Sequence, residues 1–151
     1  MSTIVRQSDF NEFERLFWQL SREMGYQWRK VYDDTFPGSQ SHILCLLERN
    51  GPQRMSELAE VLHLTPGAVT TASDRLIDEG YIARISDKTD RRVARLEMTH
   101  KGKETLNELQ NKGRKIMKLV FNDISDKDLE KLNDIFKQAT INIDKIGEEY
   151  N

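Results

Sequence analysis

Seven basic side chains, Arg84, Lys88, Arg91, Arg92, Arg95, Lys101 and Lys103, lie between residues 81 and 103 against three acidic ones. This stretch carries +4 in a chain whose formal net charge is −2. Guanidinium groups at that density suit phosphate oxygens, and a narrow segment bearing them can enter a DNA minor groove, where the negative potential favours arginine. Just upstream, Thr65-Pro66-Gly67-Ala68-Val69-Thr70-Thr71 offers small, uncharged side chains that allow close approach to base edges, and threonine methyls and alanine suit thymine methyl groups. Arg75 is the one cation there able to read a base. These residues also have plainer uses. Arg91, Arg92 and Arg95 can pair with Asp87 and Asp90 on a solvated hairpin. Arg75 has Asp74, Asp78 and Glu79 within one helical turn, and Thr65 and Gly67 serve a helix start before they serve DNA.

The elements that must position these groups follow from periodicity. Phe10, Phe13, Phe17, Leu20, Met24, Trp28 and Val31 recur at steps of three and four, which predicts a long amphipathic helix from Phe10 to Tyr32. Phe36-Pro37-Gly38-Ser39 interrupts it, and a second helix runs through Ile43 and Leu47 to Asn50-Gly51-Pro52. Ser56 is the expected cap of a short helix containing Leu58, Ala59 and Leu62. Thr65-Pro66 opens the next, which turns Val69, Ala72, Leu76 and Ile77 inward and ends at Glu79-Gly80. Tyr81–Ile85 and Val93–Met98 alternate as the two strands of a β-hairpin around the polar stretch 86–90. Thr99 caps a long helix carrying Leu106, Leu109, Ile116, Leu119 and Val120. Ser125-Asp126-Lys127-Asp128, a capping box with aspartate in its last place, opens a final helix through Leu129, Leu132, Ile135, Phe136, Ala139, Ile143 and Ile146.

Composition narrows the class. With 151 residues, 37% hydrophobic and 32% charged, the chain has the size of one domain, and a core is attainable without disulfide or metal. Cys45, the single cysteine, stands among apolar neighbours, as in a reduced intracellular protein, and a redox role would need cationic neighbours and access. No apolar run reaches the length of a membrane span and no secretion signal is evident, so a cytoplasmic location is expected. His42, His63 and His100 are dispersed, without the spacing of a metal site. No phosphate loop, nucleophile elbow or metal-helix motif points to an enzyme, and no cofactor is implied.

Two short helices joined by a tight turn and followed by an arginine-rich hairpin make a winged helix-turn-helix flanked by long helices, a mainly α fold with a small β-hairpin. Leu58-Ala59, Thr65 to Thr70, Asp74-Arg75-Leu76, Glu79-Gly80-Tyr81 and Asp90-Arg91-Arg92-Val93-Ala94-Arg95-Leu96-Glu97-Met98-Thr99 together resemble the MarR family of bacterial transcription regulators. Asp90, Arg92 and Arg95 match that family's Asp-x-Arg-x-x-Arg wing signature in register. The resemblance implies a homodimer in which the first and last helices of two subunits interleave. It implies that Arg92 enters the minor groove, that Asp90 orients it, and that Arg75 meets the operator from the recognition helix. Family members often carry a basic residue directly after the position of Thr70; here it is Thr71, which leaves the recognition helix nearly without positive charge.

The expected organisation is a helical dimerisation region, 1–35 and 100–151, around a winged helix-turn-helix, 36–99, in one compact domain. The terminal helices are long and apolar enough to need a second copy, and a two-fold dimer sets recognition helices about 34 Å apart, one DNA turn. The expected function is a sequence-specific regulator, a repressor by the family's habit, acting on a near-palindromic operator. Thr65, Gly67, Ala68, Thr70, Thr71, Arg75, Lys88, Arg91, Arg92 and Arg95 are its candidate DNA-binding residues, with Asp90 as wing support. Phe17, Trp18, Tyr26, Trp28, Tyr32 and His42 either line a pocket for a small aromatic or lipophilic effector or belong to the core. The competing reading is a winged-helix module that binds protein through the acidic stretch 53–80, which carries −3, and does not bind DNA.

Overall fold

The structure, a computed structural model, describes residues 6–149. Its elements run α1 (Gln7–Tyr32), α2 (Gln40–Asn50), β1 (Gln53–Arg54), α3 (Met55–Val61), α4 (Pro66–Asp78), β2 (Ile82–Ser86), β3 (Ala94–Met98), α5 (His100–Val120) and α6 (Asp126–Glu149). They form two compact units, the first extending to Lys115 and the second starting at Ile116.

The core of the first unit is built from the apolar stripes read in the sequence. Ile43, Leu44 and Leu47 of α2, Leu58 of α3, Val69 and Leu76 of α4, Ile82 and Leu96 of the sheet and Leu106 of α5 are buried together with Phe36 and Tyr32. Each such aliphatic side chain contributes roughly 1.5–3 kcal/mol on leaving water. On α1 only Tyr32 is buried; of the predicted stripe Met24 and Val31 are half-buried, whereas Phe10, Phe13, Phe17, Leu20 and Trp28, with Leu16 beside them, remain exposed.

Both helix ends around the helix-turn-helix close in the same way. After α4, the Gly80 N–H bonds to the Ile77 carbonyl and the Tyr81 N–H to the Leu76 carbonyl, with Gly80 at φ 82°. After α3, the His63 N–H bonds to the Glu60 carbonyl and the Leu64 N–H to the Ala59 carbonyl, with His63 at φ 53°. This left-handed closure ends α3 sharply and lets α4 begin at Pro66, after residues 62–65; it favours glycine, so His63 holds it at some strain.

Two local expectations are corrected. Ser56 lies inside α3 and does not cap it. The N-cap is Arg54, whose backbone N–H donates to Glu57 Oε1 at 3.2 Å, while Leu62 falls at the C-terminal cap. The hairpin is also wider than expected: β1 pairs with β3 as Gln53↔Leu96 and Arg54↔Arg95, giving an antiparallel sheet in the order β1-β3-β2. A two-residue strand is too short to leave a periodic signal.

Thr99 caps α5 as expected, its Oγ1 accepting the Gly102 N–H at 3.1 Å. In the second unit Ser125 Oγ accepts the Asp128 N–H at 3.1 Å ahead of α6, where Leu129, Ile135, Phe136, Ile143 and Ile146 are exposed.

Candidate nucleic-acid interface

The leading end of α4 is set by its cap. Thr65 Oγ1 accepts the Ala68 N–H at 3.1 Å and Pro66 occupies the first turn, where its missing donor costs nothing. Gly67 is exposed, and a Cβ added there would meet no atom within 4 Å, so the surface is open to close approach. Thr70 and Thr71 are exposed and Ala68 half-buried. The Thr70 hydroxyl donates to the Pro66 carbonyl at 2.9 Å, which leaves its methyl group and an oxygen lone pair for a ligand.

The cations beside α4 are partly engaged. Arg75 Nε lies 3.3 Å from Glu79 Oε1, one of the helical pairings open to it from the sequence, with its side chain still 64% exposed. Arg84 of β2 donates to Asp74 at 3.0 Å and ties the hairpin to α4.

In the loop between β2 and β3, Lys88, Arg91 and Arg92 are exposed, and 92% of the Arg92 side chain is open to solvent. Asp90 Oδ1 accepts from both the backbone N–H of Arg92 at 3.0 Å and its Nε at 3.3 Å, a geometry that orients the guanidinium. Arg95 differs: its Nε lies 3.2 Å from Oδ1 of the buried Asp87. Arg54 Nη2 donates to the other oxygen of the same carboxylate. Burial alone would raise the Asp87 carboxyl; the Thr89 N–H, the hydrogen bond from Arg54 and the charges of Arg54 and Arg95 overcome it and hold the group below its ordinary range. Arg54 escaped the sequence reading because its role depends on β1.

The aromatic set on α1 does not gather at one place. Trp28 stacks on Tyr32, with ring centroids 4.1 Å apart, and lies parallel to His42 at 6.0 Å. Phe17 instead meets Trp18 edge to face at 5.1 Å, and Tyr26 lies under Lys30. Tyr32 is a core residue whose hydroxyl is pushed up to about 12, by burial first and then by the charges of Cys45 and Glu48. Burial also raises the Cys45 thiol, with Glu48 adding to it, so the thiolate a redox sensor needs is disfavoured. Among the described residues no group of three or more His, Cys, Asp or Glu could hold a metal ion, and no helix is long and apolar enough to cross a membrane.

A capped helix with a small outer face, reached through the short turn at residues 62–65 and flanked by a sheet whose loop presents exposed guanidinium groups, defines a winged helix-turn-helix. Residues 37–94 match the model of the MarR family. Over 134 residues, covering 89% of this chain and 95% of the relative, the chain is 25% identical to the uncharacterized HTH-type transcriptional regulator YpoP of Bacillus subtilis. It is 39% identical over 64 residues, 42% of this chain and 41% of the relative, to the HTH-type transcriptional repressor MdtR of the same organism. A MarR family protein from Bacillus stearothermophilus shares the fold, with a TM-score of 0.81 at 19% identity, over 92% of this chain and 98% of that one. Over residues 37–94 the chain is similar to the MarR family, and its fold is the winged helix-turn-helix fold of the proteins it resembles.

Proposed function

We propose that the chain acts in the cytoplasm as a homodimeric repressor on a near-palindromic operator. The observation that carries this reading is the pairing, within one unit, of a small, open α4 face with a loop whose Lys88, Arg91 and Arg92 are exposed. Thr65, Gly67, Ala68, Thr70, Thr71 and Arg75 meet the major groove; Lys88 and Arg91 meet phosphates, and Arg92, oriented by Asp90, enters the minor groove. Arg95 completes the set through the loop.

The second copy accounts for the exposed apolar rows, Phe10, Phe13, Leu16, Phe17 and Leu20 on α1 and Leu129, Ile135, Phe136, Ile143 and Ile146 on α6. An exposed apolar row along each of two long helices marks an interface. Repression follows the MdtR likeness. A small aromatic or lipophilic effector acting near Trp28 and His42 would shift the spacing of the two recognition helices, so that both half-sites cannot be held together and the avidity of the pair is lost.

Selection of bound duplexes from a random pool tests the reading: an inverted repeat with half-sites about one turn apart is expected. Fluorescence anisotropy with random duplex over a salt series separates it from a protein-binding module, for which no salt-dependent binding is expected. Failure of both assays would refute duplex binding.

A further inference from the structure

The sheet sets Arg54 of β1 directly opposite Arg95 of β3. Like charges facing one another across an antiparallel pair repel. The charge that answers them comes from outside the paired strands: Asp87, one residue beyond β2, is 2% exposed, one of its oxygens accepts from Arg54 and the other lies 3.2 Å from Arg95 Nε. A buried carboxylate persists when it is paired and hydrogen-bonded, so these three side chains hold each other in place.

This cluster stands at the mouth of the loop that carries the exposed cations. Asp87 Oδ1 accepts the Thr89 N–H at 3.4 Å, Arg54 donates to Thr89 Oγ1 at 3.3 Å, and the Asp87 N–H donates to the Val93 carbonyl at 3.1 Å across the loop. Both ends of the segment 87–93 are thereby tied to the sheet, with Lys88, Arg91 and Arg92 between them. We propose that Asp87 is the positioning residue of the wing: it clamps Arg54 and Arg95 so that Lys88, Arg91 and Arg92 reach DNA together, and it touches no part of the duplex itself. Arg54 and Arg95 then serve the clamp more than they serve phosphate. Without it, the loop must be ordered at the moment of binding, which costs affinity. The inference rests on the duplex-binding reading above.

Asp87→Asn removes the charge with almost no change of shape. With the full chain and a selected operator, anisotropy across a salt series should show affinity reduced about tenfold or more, and the slope of log K against log salt shallower by about 2, one phosphate contact from each of two wings. Arg92→Ala, costing at least about fivefold in the parent, should cost less than about twofold in the Asp87→Asn background, because the two act through one element. Arg54→Met, at a side chain 35% exposed, gives the same two readouts should Asp87→Asn fail to fold, with circular dichroism as the check on folding. A folded variant with the parent's salt slope and the full Arg92→Ala penalty overturns the clamp and leaves duplex binding intact. A parent chain without salt-dependent binding overturns both.

Discussion

Gly102, in the first turn of α5, packs directly against the backbone of Tyr81. A Cβ built there would stand 2.2 Å from the Tyr81 carbonyl oxygen and 2.9 Å from Met98 Cγ. Carbon makes comfortable non-bonded contact at about 3.5 Å, so Gly102→Ala requires the backbone of Tyr81 or of α5 to move by about 1 Å. The Tyr81 carbonyl is not free to move: it accepts the Thr99 N–H at 3.0 Å, and the Thr99 hydroxyl donates to the Gly80 carbonyl at 2.7 Å. Overpacking costs about 1–3 kcal/mol and a weakened hydrogen bond about 1, against a helix-propensity gain of roughly 1 for glycine to alanine. The net expectation is a loss of about 1–3 kcal/mol. Gly113 is the control on the same helix. There an added Cβ meets only the Tyr32 hydroxyl at 3.9 Å, so Gly113→Ala should gain about 1 kcal/mol. Thermal unfolding at matched protein concentration should move Tm down by roughly 3–10 °C for the first variant and up by about 3 °C for the second. A stabilised Gly102→Ala protein would refute the reasoning, since propensity alone predicts the same sign for both.

Other outcomes are expected from the same contacts. Arg92→Ala should weaken operator binding and flatten its salt dependence, whereas Thr71→Ala should change the preferred sequence in a selection more than the salt slope. His63→Gly should raise stability by about 1 kcal/mol in urea unfolding, because glycine takes the left-handed φ of 53° without strain; a loss would mean that the His63 side chain outweighs the backbone. Ultraviolet titration should find one tyrosine, Tyr32, ionising near pH 12. Its native proton is held longer than that of the unfolded chain, so the associated stability is whole below pH about 10 and falls as pH rises towards 12; Tyr32→Phe should remove that late step. Cys45 should react with a thiol reagent far more slowly in the native chain than after unfolding, and equal rates would show that its burial does not protect it.

Most of the fold was legible because its signals are local. Thr65, Thr99 and Ser125 announce their helices through side-chain oxygens three residues from the N–H groups they cap, and Gly80 ends α4 within a single residue. The orientation of Arg92 by Asp90 also spans two residues, and the hydrogen bonds are there. What escaped was short or non-local. The strand β1 has two residues without a period, and Ser56 looked like a cap because nothing nearby signals that Arg54 takes that place.

The charge of each segment, the apolar stripes and the caps are properties of residues a few positions apart, so the order of helices and the presence of a cationic hairpin were determined by sequence alone. Which cation is tied down was decided only by tertiary structure. Arg54 and Asp87 are 33 residues apart and meet because β1 pairs with β3. The same pairing engages Arg95 and leaves Arg91 and Arg92 at the surface. Ion pairing depends on distance in space, and spacing along the chain reports that distance only within one element.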